Sequence, residues 1–326
     1  MDAKKPEISK KRKRWFLAIT LTILLLLALI TSEIFLRSYM GLGNPVLYQS
    51  SPLYGYRPQP NQHVTRFYGS EIRINNLGLR AQSDWDKNPE NKVLFLGNSV
   101  TYGGSYIDNK DLFTTWAIKD LPGYHGGNAG VNGWGIGNIK ALVADLEFLP
   151  AKTYVSVLQE MDFYRGLSKL AGKPFWAHKP HFAWQEILYF FFYDRTQTIY
   201  KGHDRFVTER EKELTVIRSV KKLIELDKYL RSHNFNHLIY ISPNKPQLLG
   251  ERDVDPYVKK YLAESGLHVQ YLKDRDRIKA LSKDEILAVY HDFSHLSKEG
   301  HHLWGELFGH DLAELFAQNN QQKTQD

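Results

Sequence analysis

Eighteen consecutive residues without a charge, Trp15 to Ser32 (WFLAITLTILLLLALITS), limit this chain more than any other feature. As a helix rising 1.5 Å per residue, such a stretch is about 27 Å long, close to the ~30 Å hydrocarbon core of a bilayer. It is apolar on every side, so it lacks the single apolar stripe that would seat it on a soluble core. Five consecutive cations, Lys10 to Arg14, precede it, and Glu33 and Arg37 mark its far end. Such a cluster stays cytoplasmic and sends the rest of the chain across. A cleaved signal peptide starts in the same way, but this stretch is long and no small-x-small site follows it. The sequence therefore predicts a basic cytoplasmic tail (1–14) and an uncleaved anchor (15–36) that contacts the lipid bilayer. The working domain is then extracytoplasmic on an inner cell membrane, and periplasmic in a Gram-negative source.

The tail also explains the charge. Residues 1–14 hold seven Lys and Arg against Asp2 and Glu7, which is +5 of the chain's formal +7. The remainder is nearly neutral, so nucleic-acid binding is set aside. There is no cysteine, which excludes thiol catalysis, cysteine-ligated zinc and iron–sulfur clusters. At 326 residues and 42% hydrophobic, the chain has ample material for a core and is not a disordered sequence.

Residues 37–90 read as a connector. Within it 38–60 is rich in Gly, Pro, Ser and Tyr without helical period, and a hairpin spans 63–67 and 71–75 around Tyr68-Gly69-Ser70. From residue 91 to 320 short apolar runs alternate with helical patterns. Strands are predicted at 93–96, 154–158, 237–242 and 268–272. Helices are predicted near 111–120, 138–149, 186–193, 255–265 and 298–317. Another runs from the Thr208/Glu211 capping pair to about 232. This is the pattern of a three-layer α/β/α fold with a parallel sheet. The aromatic, irregular segment 163–205 reads as an insertion or lid.

Two places carry residues suited to chemistry. Gly97-Asn98-Ser99 follows the first buried strand, and ligands meet α/β proteins at the C-terminal edges of such strands. Taken alone, the tripeptide reads as a polar turn capping a helix. Asp292-Phe293-Ser294-His295 precedes the last helix. A carboxylate three residues before an imidazole can orient it, and the imidazole can then take a serine proton. With 13 histidines in the chain, that spacing means little by itself.

In combination the segments resemble the SGNH (GDSL-like) hydrolase family. VLFLGNSVTYGGSY (93–106) is similar to its first block, NAGVNGWG (128–135) to its second, and DFSHLSKEGHHLW (292–304) to its last. The stretch LYGYRPQPNQ…IRINNLGLR (53–80) resembles a leader of membrane-attached members. The resemblance implies about five parallel strands, Ser99 as nucleophile, His295 as general base and Asp292 as its orienting partner. It also implies an oxyanion hole formed by the Ser99 and Gly133 N–H groups. Two departures stand out. Asn98 replaces an aspartate that is not a triad member. In the third block, Gln159-Glu160-Met161-Asp162 places methionine where the family has an oxyanion-hole asparagine, leaving Gln159 or Asn132 to supply an amide.

The expected activity is thus acyl-ester hydrolysis or O-acyl transfer through Ser99, with no cofactor, on O-acylated glycans of an envelope or secreted polysaccharide. The rival is a catalytically degenerate fold-mate that binds glycan or scaffolds an assembly. Lipase action is a weaker third reading. A metal site among His291, His295, His301 and His302 is set aside because no carboxylate recurs at ligand spacing. No phosphate-binding loop follows Gly97, Gly103 and Gly104. Trp176, Phe182, Trp184 and Phe190–Tyr193 read as core packing, or as a lid or sugar-stacking surface.

Overall fold

The computed structural model describes residues 9–144, 149–166, 175–200 and 208–323. Lys4 and Lys5, residues 145–148 of the expected 138–149 helix, and residues 167–174 and 201–205 of the 163–205 segment lie outside the described residues.

Helix α1 (Lys10–Ser38) contains the whole uncharged stretch, and Leu36 is its one buried side chain. Among the described residues it is the one helix long and apolar enough to cross a membrane. The segment expected to be an extended connector contains an antiparallel pair, β1 (Tyr48–Ser51) and β2 (Gly55–Pro58). A second pair follows, β3 (Gln62–Thr65) and β4 (Glu71–Ile74). Tyr48, Tyr56, Ile72 and Ile74 are buried in the main core, so this region forms a wall of the domain. Pro52 and Gly55 interrupt the alternation of the first pair, which hides it from pattern reading.

Five strands make one parallel sheet: β5 (Lys92–Gly97), β6 (His125–Asn128), β7 (Thr153–Leu158), β8 (Asn236–Ile241) and β9 (Val269–Tyr271). Their order is β6-β5-β7-β8-β9. On β5, Val93 and Phe95 enter one core while Leu94 and Leu96 enter the other, and β7 divides Val155 and Val157 from Tyr154 and Leu158 in the same way. A sheet covered on both faces needs apolar side chains at every position, so these strands read as unbroken apolar runs.

The helices are α2 (Ser99–Tyr102), α3 (Phe113–Trp116), α4 (Ile136–Val143), α5 (Ala183–Tyr200), α6 (Glu209–Ser232), α7 (Lys245–Leu248), α8 (Pro256–Ala263), α9 (Asp276–Lys279), α10 (Lys283–Val289) and α11 (Lys298–Lys323). Ile139 of α4, Leu223 of α6 and Val258 of α8 pack on the Leu94 face. Phe113 of α3 and Phe308 of α11 pack on Phe95 with ring centroids 5.8 and 6.2 Å away. Each such buried ring contributes roughly 1.5–3 kcal/mol. The helix expected at 111–120 is only the short α3, because β-branched Thr114 and Thr115 and the downstream Pro122 give a longer one little support. β6 was missed because its sequence, His-Gly-Gly-Asn, has little strand propensity. Its glycines provide room: a Cβ on Gly127 would lie 2.5 Å from the Trp85 ring.

Candidate active site

Strand β5 delivers the first site residue. A Cβ on Gly97 would meet Thr101 Oγ1 at 2.1 Å and the Val157 carbonyl oxygen at 2.6 Å, so only glycine permits this tight exit from the sheet. Asn98 caps the next helix, its Oδ1 accepting from the Val100 N–H at 2.8 Å. Ser99 is therefore the first residue of α2, at the C-terminal edge of the sheet.

The loop before α11 supplies the other two. Asp292 Oδ1 accepts from the Ser294 and His295 N–H groups, both at 2.8 Å. This local turn leaves Oδ2 for His295 Nδ1 at 2.7 Å. His295 Nε2 lies 2.8 Å from Ser99 Oγ, across 196 positions of sequence. With Nδ1–H donating to the carboxylate, Nε2 is the acceptor facing the serine hydroxyl. Burial alone would raise the Asp292 carboxyl, but the His295 and Ser294 N–H groups and the imidazole outweigh it and hold it below its ordinary value. Asp292 thus stays ionised wherever His295 can act as a base.

Behind the serine lies a polar brace that sequence reasoning missed. Asn98 Nδ2 donates to both Asp162 oxygens, at 2.8 and 3.0 Å. Asp162 also accepts from the Gln159 N–H at 2.8 Å and from Arg165 at 3.0 Å. Burial raises its carboxyl above the ordinary value, against the opposing pull of Arg165, Gln159 and Asn98. The signal available was Asn98 itself, since a buried amide at a turn needs an acceptor. Arg80 does similar work on the far side of α2. Its guanidinium is bonded to the carbonyls of Tyr102, Gly104 and Ile107 and to Asn109, which fixes the loop after the serine.

The relay opens into a cavity of about 520 Å³ that Gly133 and Asn132 also line. Asn132 Oδ1 is buried without a partner. Gln159, the alternative amide, is turned elsewhere: Nε2 reaches the Ser294 carbonyl and Oε1 faces Asn98, both at 3.5 Å. Met161 is 47% exposed and, like Gln159, Glu160 and Asp162, is not among the residues that line the cavity, so the third block brings no donor to it. Of the two candidate amides, only Asn132 lines the cavity that Ser99 lines.

Trp176 and Phe190 stand in the cavity wall with Tyr102 and Tyr106, whereas Phe182 and Trp184 face α1. The remaining histidines go to separate partners. His291 stacks on Tyr106 with centroids 3.9 Å apart, and His302 stacks on Trp116 at 3.5 Å. His301 is fully buried, with Nδ1 accepting from the Phe113 N–H at 3.2 Å. A second Ser-His-Asp chain exists: Ser156 Oγ to His237 Nε2 and His237 Nδ1 to Asp227, both 2.9 Å. Ser156 is 0% and His237 4% exposed, so this chain ties α6 to the sheet and no substrate can reach it. Burial pushes His237 below its ordinary value.

No protein-family model matches the sequence, and no curated protein does. Several solved structures are similar in fold. One is a member of the lipolytic protein G-D-S-L family from Veillonella parvula, with 14% identity over 69% of this chain and 98% of that one, at a TM-score of 0.36. Another is a catalytic mutant of an acetylxylan esterase from Geobacillus stearothermophilus, with 15% identity over 68% of this chain and 93% of that one, at 0.39. A third is a carbohydrate esterase family 2 enzyme with a carbohydrate binding domain from Corynascus thermopiles. It shows 10% identity over 72% of this chain and 68% of that one, at 0.40. At such identities and scores, any functional reading must stand on the geometry of the site.

Proposed function

We propose that this chain is a membrane-anchored serine acyl-ester hydrolase or O-acyltransferase acting outside the cytoplasm on O-acylated glycans, chiefly O-acetyl esters. One observation carries the reading: Ser99, His295 and Asp292 are linked at 2.8 and 2.7 Å in a cavity at the C-terminal edge of a parallel sheet. Location supports the substrate class, because α1 tethers the domain and the cations at 10–14 hold its N-terminal end in the cytoplasm. The aromatic walls at Tyr106 and Trp176 suit the flat faces of a sugar ring.

In this mechanism His295 Nε2 takes the Ser99 proton as Oγ attacks the ester carbonyl carbon. Asp292 stabilises the resulting imidazolium. The carbonyl oxygen becomes an oxyanion, received by the Ser99 and Gly133 N–H groups and the Asn132 amide, which takes the place of the missing third-block asparagine. His295 gives its proton to the departing alkoxide oxygen, leaving an acyl group on Ser99. A water or sugar hydroxyl then loses its proton to His295 and attacks the acyl carbon. His295 returns that proton to Ser99 Oγ as the acyl product leaves.

The test uses the full chain in detergent with a fluorophosphonate and with 4-nitrophenyl acetate. A stoichiometric adduct and turnover are expected, absent in Ser99→Ala and strongly reduced in His295→Ala. No adduct on folded wild-type protein would favour the glycan-binding scaffold, for which Met161 speaks.

A further inference from the structure

Helix α5 has two unlike faces. Positions 183, 186, 187 and 190 share one face at helical spacing. Ala183 and Glu186 are fully buried there, and Glu186 and Phe190 line the catalytic cavity. Buried Arg66 and the Gly43 N–H, at 2.8 Å, hold the Glu186 carboxylate in place. Trp184, Leu188, Phe191 and Phe192 form the other face, spaced i, i+4, i+7 and i+8. They are 38%, 50%, 49% and 60% exposed, and Phe182, just before the helix, is 60% exposed. The outward stripe of a water-bathed helix is ordinarily polar, and a contiguous exposed apolar patch marks a surface that something covers.

The attachment of α5 to α1 identifies the cover. The Glu33 carboxylate accepts from the Ala183 N–H at 2.8 and 2.9 Å, capping α5 from the end of α1. Trp184 Nε1 donates to Ser32 Oγ at 3.0 Å, and Arg37 joins Glu33 (2.6 Å) to the His181 carbonyl (2.8 Å). Leu29, Ile30 and Ile34 of α1 line one apolar groove with Phe182, Trp184 and Leu188. Leu29 and Ile30 belong to the uncharged stretch itself, so lipid surrounding that stretch reaches α5 without a break. Aromatic and leucine side chains on one face, beside an indole whose N–H meets a polar group, suit the boundary between headgroups and acyl chains.

We propose that α5 is an interfacial helix whose Trp184–Leu188–Phe191–Phe192 face is embedded in the outer surface of the bilayer. It docks the domain so that the catalytic cavity, on the helix's opposite face, lies about one helix diameter, ~10 Å, from the lipid. The ester substrate is then met at the membrane surface and not out in solution. The proposal rests on the reading that α1 spans the membrane, and the test separates the two.

Because the chain has no cysteine, single spin labels can be introduced at Leu188→Cys, Phe192→Cys, Leu25→Cys on α1 and Arg210→Cys on exposed α6. The full chain is reconstituted in phosphatidylcholine–phosphatidylglycerol vesicles, and collisions with oxygen and with a water-soluble nickel complex are compared. Labels at 188 and 192 are expected to favour oxygen several-fold, as at 25, while 210 favours nickel. Nickel access at 188 and 192 with a lipid-exposed 25 would overturn the docking alone. Nickel access at 25 as well would overturn the anchor too. Low access to both agents with dipolar broadening would mean that a second copy covers the face, and the lipid proposal would fail. If a label disturbs folding, seen by circular dichroism, quenching of Trp184 by acyl-brominated lipid decides. A quenchable fraction lost in Trp184→Phe is expected, and unchanged quenching overturns the docking.

Discussion

In Asn98→Asp a second carboxyl would stand where Nδ2 now donates to Asp162 at 2.8 and 3.0 Å, with both side chains fully buried. Two carboxylates at that separation cannot both ionise, so folding must take up a proton. An unfolded aspartate titrates near 3.9, so keeping it protonated at pH 7 costs about three pH units at 1.36 kcal/mol each, roughly 4 kcal/mol. The sign follows from the proton count. The folded variant binds one proton more than its unfolded chain, so the penalty is absent below about pH 4 and grows as pH rises. At pH 5 it has shrunk to about 1.5 kcal/mol. For a domain of this size, roughly 2–4 °C per kcal/mol, melting should fall about 8–16 °C below wild type at pH 7 and about 3–6 °C below it at pH 5. Scanning fluorimetry of the full chain in detergent at both pH values reads this directly. The exchange Asn98→Asp with Asp162→Asn re-creates the amide–carboxylate pair with its polarity reversed, and should recover most of the loss. A single variant melting within about 2 °C of wild type at pH 7, or a gap that does not narrow at pH 5, would refute the coupling of residue 98 to Asp162.

Three further outcomes are expected. Asp292→Asn keeps an acceptor for the Ser294 and His295 N–H groups but turns an amide NH₂ toward Nδ1, forcing the tautomer with Nε2–H on Ser99; kcat for 4-nitrophenyl acetate should fall about 10³–10⁴-fold with little change in melting. Asn132→Ala should lower kcat about 10²-fold with KM nearly constant, whereas Met161→Ala, exposed and outside the cavity lining, should change neither. Burial, with Arg80 nearby, pushes His301 down to about 3. Its contribution is intact above its unfolded value of about 6.5 and lost as pH falls below it, about 2 kcal/mol by pH 5. His301→Asn should therefore lose less melting temperature than wild type between pH 7.5 and 5.0, and an equal loss would assign the acid sensitivity to other groups such as His237.

Residue order alone determined whatever depends on near neighbours. The uncharged stretch 15–32 forms one helix because no other backbone can satisfy its own hydrogen bonds among apolar side chains. The runs around Val93–Leu96 and Tyr154–Leu158 are central strands because both their faces are apolar. Asp292 and His295 meet within one turn of chain, so their spacing was legible before any fold was known. What was illegible depended on partners distant in sequence. β6 is a strand because β5 offers it an edge, not because His-Gly-Gly-Asn prefers to extend. The Ser99–His295 pairing, expected only through the family resemblance, forms because β5 ends beside the loop before α11, and Asn98, a local cap of α2, gains its second partner only once Asp162 lies beneath it. Asn132 and Gln159 are equivalent amides on paper. Packing turned one into the cavity and tied the other to the Ser294 carbonyl. The two faces of α5 divide in the same way: its apolar residues are plain in the sequence, but only its cap on Glu33 and the Arg66–Glu186 pair decide which of them face the cavity and which face outward. Periodicity is a property of neighbouring residues and survives in a linear string. Orientation between elements is set by packing and desolvation, which exist only once the chain has folded.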